Sequence, residues 1–502
     1  MKKSELILGA SVFLASIGIM LSTSCSKKEE PLYTALLPEK VDALLSVNVE
    51  SLLEKSQLWD NSQVQALLDE AMGEMPGTQQ IMRFLLKNPE ISGIDFHQNV
   101  YVYAPQEAED YAACGIFAMK DARRLQTLLE QSGLFGKFEE SDGYVWAEHL
   151  DGLLVFDDVK GAFFVSDTTV AKESVLPLLQ QPASESFSAT ELFQFLPSGD
   201  EAGILLPMSV AEEADMPGLL PVSDADPIPL DKLYVYAGLD FEENSMGFQW
   251  SYIPMDSETR GWMESLYEGV GTATGGLLPS LDGSAMAFVS WNMDGGLLAD
   301  RIEREIPMRN EEEMDEWLPV LDAIDGDCLL SVAWTHFLPQ IVFKAEAPDV
   351  RSLDALHESL GGKAVGSNRY LLQQEMFPLY YGWEDGCLWA GMSESLPAAE
   401  RGKTLMDKYP WAESAKGVYF YMGLDAKILQ GLLAADLLSN ILSGHAVPQQ
   451  DLELVLDVLQ RLGISYVELF STELGRYRLI VHTDSDNPLA LLVDYLMEEQ
   501  SA

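Results

Sequence analysis

Apolar and polar residues alternate along much of this chain, and Gly, Asp and Asn interrupt the alternation at short intervals. That pattern predicts antiparallel strands joined by tight turns. Between these runs lie stretches with leucine at helical spacing. One unit recurs: an apolar strand, an aspartate at the turn, then a helix with leucines on one face. Its first copy runs from Gly115 through Asp121 to Gly133, and its second from Val342 through Asp349 to Gly361. Asp121, Arg123, Leu125, Leu128, Glu130 and Gly133 match Asp349, Arg351, Leu353, Leu356, Glu358 and Gly361 at one constant offset. Asp121 and Asp349 are placed to cap the helix by accepting from its free N–H groups. The leucines form one apolar stripe. Gly133 and Gly361 can supply a left-handed stop.

The segments after each copy also match. Strands are expected over 135–138, 144–149, 153–157 and 162–166, and again over 364–367, 370–374, 379–383 and 388–392. Weaker versions of a hairpin followed by a helix run over 233–266 and 466–497. A strand passing directly into a helix is expected at 44–53, 203–210 and 418–433. The fold class that follows is α+β: two related halves of antiparallel β-sheet backed by helices, an internal duplication. The Gly/Thr-rich stretch Gly269–Gly276, with the turn residues up to Gly283, is the expected boundary. The halves then span residues 41–270 and 280–498.

The N-terminus changes the picture from fold to address. Lys2 and Lys3 precede an apolar run from Leu6 to Leu21, too short to span a membrane comfortably. Ser22, Thr23 and Ser24 then lead into Cys25, the pattern of a lipoprotein signal that is lipidated at the thiol and cleaved before it. Leu21 stands four residues before the cysteine, which makes this a relaxed form of the motif. An ordinary secretory signal and an uncleaved N-terminal helix are the competing readings. Residues 1–24 are thus expected to be the signal and residues 25–40 the lipidated cysteine with its tether. The tether reaches at most about 50 Å. It opens Ser26-Lys27-Lys28-Glu29-Glu30, which looks like the signal that sends Bacteroidota lipoproteins to the outer face of the outer membrane. Residence in the periplasmic leaflet is the alternative.

Composition narrows the partners. Eighty acidic residues against 31 basic ones give a formal charge of −49, while 47% of residues are apolar. Such a chain folds rather than remaining a disordered acidic tail. Nucleic acid is disfavoured, because phosphates need Lys and Arg to displace counterions. Flat binding to anionic lipid is disfavoured for the same reason, so the acyl chains on Cys25 must hold the membrane. Divalent cations are expected only as a diffuse atmosphere. Beyond Cys25 there are Cys114, Cys328 and Cys387, enough for one disulfide. Three small buried thiols are the favoured reading, with Cys328–Cys387 the pair to test.

The signal, the Lys/Glu tether, the opening strand Ala43-Leu-Leu-Ser-Val-Asn-Val49 and the helix begun by Glu50-Ser51-Leu52-Leu53-Glu54-Lys55-Ser56 together resemble an uncharacterised Bacteroidota lipoprotein family, that of domain of unknown function 4836. The resemblance covers nearly the whole chain. It implies surface or periplasmic residence, and it transfers neither an activity nor catalytic residues.

Candidate chemistry is sparse. His97, His149, His336, His357, His445 and His482 stand at no metal-binding spacing. Gly402-Lys403-Thr404 ends like a phosphate loop, but Pro397 occupies the position of the glycine such a loop requires. Asp484-Ser-Asp486-Asn487 and Asp322-Ala-Ile-Asp325-Gly-Asp327 cluster oxygen ligands without completing a calcium loop; the first is better placed to cap a helix from Pro488. Trp146, Trp250, Trp262, Trp291, Trp334, Trp383 and Trp389 could stack on sugars if exposed, but most sit on faces patterned for the core. No cofactor, metal site or catalytic residue is expected. The leading expectation is a non-enzymatic, lipid-anchored scaffold or binding module for another envelope protein. Ligand or glycan capture comes second, and a hydrolase third.

Overall fold

A computed structural model describes residues 32–57, 61, 64, 89–106, 110–133, 135–149, 152–166, 169–196, 199–213, 230–305, 318–335, 338–373, 378–394, 404–408, 410–434 and 456–501. It divides into two compact units. The first comprises the described residues up to Met255 together with 486–501; the second comprises those from Asp256 to Ser485.

Each unit is built on an antiparallel sheet. In the first, the neighbouring strands are, in order, Glu139–Ser141, Tyr144–His149, Gly152–Phe156, Lys160–Val165, Ala113–Met119, Val100–Pro105, Val41–Val47, Ala202–Pro207, Leu233–Glu242 and Ser245–Pro254. In the second the order is Lys363–Gly366, Arg369–Gln373, Pro378–Glu384, Cys387–Gly391, Leu338–Glu346, Asp325–Thr335, Ala285–Asp294, Phe420–Asp425, Ile464–Glu473 and Arg476–Thr483. The chain visits the positions of both sheets in the same succession. The α+β class, with antiparallel sheet and backing helices, is as expected.

Burial explains why the central strands read as unbroken apolar runs. Ala113–Met119 is buried along its whole length. Cys114, Ile116 and Ala118 enter the core on one face of the sheet, and Phe117 and Met119 the core on the other. With both faces covered, the period-two signal vanishes. The helix Ala122–Ser132 follows, capped as expected: the Asp121 carboxylate accepts from Arg124 N at 3.0 Å, and Gly133 closes it at φ 69°. The second copy departs from the expectation: the N-cap of helix Arg351–Leu360 is Val350, with Asp349 accepting from Arg351 N at 2.9 Å just outside it, and Gly361 at φ 61°, ψ 169° ends the helix without a left-handed helical turn. Leu125 and Leu353 are buried beneath these helices. Asp142–Gly143 and Asp385–Gly386, all at positive φ, make the tight turns that close two hairpins.

Four expectations need correction. The tether does not run to residue 40: Tyr33, Leu36 and Leu37 are buried in a core of the first unit, so the folded body begins at the 3-10 turn Leu32–Leu36. Residues 135–138 are not a strand. Phe135 lies over His149 and Phe163 with ring centroids at 5.3 and 6.2 Å, while the polar Glu139–Ser141 takes the edge position. The Gly/Thr-rich stretch at 269–276 is not the boundary but a strap within the second unit. Val270–Gly271 pairs with Met293 and Asn292, and the amides of Thr274 and Gly276 bind a buried carboxylate, Asp327. The division falls at Met255/Asp256, so neither 41–270 nor 280–498 is a unit. Helix Ser257–Leu266, which ends the first hairpin–helix run, belongs to the second unit. Its Leu266 carbonyl accepts from the Arg301 guanidinium on helix Gly295–Glu305. Helix Pro488–Ser501, which ends the second run, belongs to the first unit and packs against helix Val49–Ser56 and strands Leu233–Glu242 and Ser245–Pro254. Each run thus contributes its last helix to the unit built from the other run.

Candidate functional site

The signal segment, Cys25 and Ser26, Lys27, Lys28, Glu29 and Glu30 lie outside the described residues, as do His336, His445, Gly402 and Lys403. The described histidines serve packing and hydrogen bonding in separate places. His97 Nδ1 lies 3.1 Å from Glu50. His149 sits among Phe135 and Phe163. His357 stacks on Tyr370 at 3.9 Å and bonds the Tyr381 hydroxyl at 2.9 Å. His482 Nε2 lies 2.7 Å from a buried carboxylate, Glu468. Trp146 and Trp389 are 1% exposed, and Trp250, Trp262, Trp291 and Trp383 are half-buried, so these six form no exposed platform for sugar rings.

Of the two oxygen-rich stretches, the first caps a helix as expected: Asn487 Oδ1 accepts from Ala490 N at 3.2 Å, and Asp484 pairs with Lys427 at 3.0 Å. In the second, Asp327 is buried and accepts from Thr274 N and Oγ1, Gly276 N and Asn292 Nδ2 at 2.7–3.0 Å. Burial alone would push this carboxyl up. The hydrogen bonds from Asn292, Thr274 and Gly276 outweigh it and hold the group below the usual aspartate range.

Four further buried carboxylates escaped the sequence reading. Glu201 accepts from Ser51 Oγ at 2.7 Å and Phe241 N at 2.8 Å, and pairs with Lys55. Asp200 accepts from Tyr236 OH and from Gln249 Nε2, and burial pushes its carboxyl up. Asp425 pairs with Lys408 at 2.6 Å and caps helix Ala426–Ala434 through Ile428 N at 3.0 Å. Glu468 joins Tyr421 OH, at 2.9 Å, to His482. For Asp200, Glu201 and Asp425 the sequence sign was an acidic residue at or beside the end of an apolar strand; Glu468 stands in the middle of Ile464–Glu473. In each case the oxygens go to donors that tie strands to helices or to one another. A group so committed is poorly placed to act on a substrate.

An open cleft of about 720 Å3 lies in the first unit. Three separate stretches of chain form it: Pro38–Lys40 after the 3-10 turn Leu32–Leu36; Pro105, Gln106, Asp110 and Tyr111 between two central strands; and the end of helix Lys172–Leu179 with the residues up to Glu185. Hydrogen bonds fix the first wall. Tyr33 OH donates to Asn99 O at 2.6 Å, Gln181 Nε2 to Leu37 O at 3.0 Å and Ser186 Oγ to Thr34 O at 2.8 Å. Tyr111 is held edge-on against Phe164 at 4.9 Å, and burial pushes its hydroxyl up to about 12. Glu39, Asp110, Glu185 and Lys40 are the charged groups on the walls, and all four are exposed.

A family model described as a domain of unknown function, DUF4836, matches residues 33–444. No curated protein matches the chain. Among solved structures it is similar to crystal form III of TP0453, at 10% identity over 48% of this chain and 87% of that one, with a TM-score of 0.28. Crystal form I gives 9%, 48%, 87% and 0.27. Crystal form IV gives 11%, 45%, 81% and 0.28. A likeness of that degree carries no argument about function. The family match, by contrast, runs from Tyr33, in the first described turn, to residue 444 and so covers most of the chain, which belongs to the DUF4836 family.

Proposed function

We propose that this protein is a lipid-anchored binding module of the bacterial envelope. In this reading the lipid on Cys25 holds it to the membrane, Ser26–Glu30 direct it to the outer face of the outer membrane, and it engages another envelope protein without catalysing a reaction. The observation that carries the reading is the cleft beside Pro38–Lys40, which follow directly on the turn Leu32–Leu36 at the start of the folded body. Its walls carry exposed carboxylates, amides and proline rings. The buried carboxylates and the thiols, which a catalyst would recruit, are spent on internal contacts elsewhere. Six residues, 26–31, separate Cys25 from the first described turn, Leu32–Leu36, so that turn lies within about 25 Å of the anchored lipid.

Photo-crosslinking in living cells tests this. A photoreactive residue at Gln106 or Gln180 should yield a reproducible protein adduct. The same residue at Glu243, in the turn at the far end of the same sheet, should not. Adducts at neither cleft position, or equally at all three, would overturn the reading.

A further inference from the structure

We infer that the cleft takes a basic, extended polypeptide segment, with lysine or arginine side chains set against Glu39, Asp110 and Glu185. The inference rests on reading the protein as a binding module and gives that module's ligand a chemistry.

Charge is the first ground. Among the described residues none of Glu39, Asp110 and Glu185 has an ion-pair partner, and Lys40 is the one cation on the described walls. Elsewhere in this unit Glu201 is paired with Lys55 and Glu139 with Lys172, whereas Glu54, Glu242 and Glu243 at the opposite end have, like the cleft acids, no ion pair among the described residues and serve as the control. The described walls thus set three carboxylates against one ammonium, and a cationic ligand would match the excess.

Backbone chemistry is the second ground. Gln106 and Gln180 each offer an amide donor and an amide acceptor, the two functions a peptide backbone presents in alternation. Gln181, by contrast, is spent on the carbonyls of Ala35 and Leu37. Pro38, Pro105, Pro177 and Pro182 have no N–H to compete for the ligand's carbonyls. Their fixed φ also leaves little main-chain freedom to lose on binding. Tyr111, held by Phe164, adds an aromatic wall on which a guanidinium or ammonium can rest. The volume of about 720 Å3 falls within the range of clefts that hold a drug-sized group, enough for one or two side chains of such a segment.

A chain of net charge −49 attracts any polycation, so the test turns on locality. Binding of a short fluorescent lysine–proline peptide to the full-length protein in detergent is compared with that of glutamate–proline and serine–proline counterparts. The triple variant Glu39→Gln/Asp110→Asn/Glu185→Gln should bind the lysine peptide about tenfold more weakly. The triple variant Glu54→Gln/Glu242→Gln/Glu243→Gln, at the opposite end of the sheet, should bind it as the unmodified protein does. Added NaCl should weaken the unmodified protein's binding and change the cleft variant's much less. Equal loss in the two variants, no loss in the cleft variant, or equal binding of all three peptides would overturn the inference. The cellular crosslink separates this failure from that of the module reading. An adduct at Gln106 whose contact segment is neutral or acidic keeps the module and overturns the basic ligand.

Discussion

Cys328 and Cys387 flank a single strand and point to opposite faces of the sheet. Cys328 stands opposite Ala345 and Cys387 opposite Glu346, and adjacent residues of a strand face opposite ways. The two thiols accordingly enter different cores. Two strand spacings put them roughly 10 Å apart, beyond the reach of a disulfide. The Cys328–Cys387 pair is therefore ruled out, and Cys114, Cys328 and Cys387 are free and buried. Burial pushes the Cys328 thiol up to about 12, and it raises those of Cys114 and Cys387 as well. The native protein should be inert to a thiol reagent at neutral pH and should react at all three positions in denaturant, reducing agent or not. Prompt labelling of Cys114, Cys328 or Cys387 in the native form, located by peptide mapping, would contradict this packing.

The Asp327 strap predicts a large cost for a small change. Asp327→Ala strands the amides of Thr274 and Gly276 and the Asn292 side chain, and should cost about 3 kcal/mol or more. The pH dependence has a definite sign. The folded carboxyl titrates below the unfolded value of about 3.9, so its contribution is complete above that pH and fades as pH falls toward the lower folded value. Denaturant midpoints taken across acid pH should show this slope in the unmodified protein and a shallower one in Asp327→Asn.

Asp200 should behave in the opposite sense. Burial raises its carboxyl, with Asp240 and Glu201 adding to the effect and the bonds from Tyr236 and Gln249 opposing it. The folded state therefore keeps the proton longer than the unfolded chain does. The stability due to this group is present below about pH 4 and declines as pH rises through the folded value. Asp200→Asn should remove that decline, and stability measured from pH 4 upward should be flatter in the variant. A steeper dependence in the variant would contradict the assignment.

These two carboxylates also show what could and could not be read in advance. The first of the paired helices was legible because its signals are local: Asp121 caps within three residues and Gly133 stops it within one turn, whereas Asp349 only turns the chain ahead of the second helix, whose N-cap is Val350. Asp327 was visible as an oxygen ligand, but its partners at Thr274 and Gly276 lie some fifty residues upstream, so the strap that binds it looked like a linker. Glu139–Ser141 was missed because a strand exposed along its length has no apolar face to produce alternation, whereas Phe135 and Phe138 imitate one. The cleft carries no motif. Its walls come from stretches near residues 38, 106 and 180, each unremarkable alone, and only the succession of strands brings them together.

The exchanged terminal helix predicts where the first unit should loosen first. Leu489 is buried at the start of helix Pro488–Ser501, which rests on Val49–Ser56 and on the hairpin strands Leu233–Glu242 and Ser245–Pro254. Leu489→Ala should cost about 2–4 kcal/mol. Hydrogen exchange in that variant should accelerate in residues 49–56 and 233–254, more than two hundred residues away in sequence, before it does in Ile464–Glu473 next to the substitution in the chain. Loosening confined to the neighbouring strands would mean that the helix stabilises its own hairpin instead.

The anchor is the last prediction, and the charge of the body makes it sharp. A surface carrying a net −49 is repelled by anionic headgroups, and among the described residues no helix is long and apolar enough to cross a membrane. If lipid on Cys25 is the attachment, no second one is expected to compensate for its loss. Cys25→Ala should leave the far-ultraviolet dichroism and the thermal midpoint of the body unchanged, since the substitution lies ahead of the first described turn at Leu32. Sodium carbonate extraction should then release the variant and leave the unmodified protein in the membrane pellet. A variant that stayed in the pellet would show that another segment holds the membrane, and placing the cleft within a tether's length of the bilayer would lose its basis.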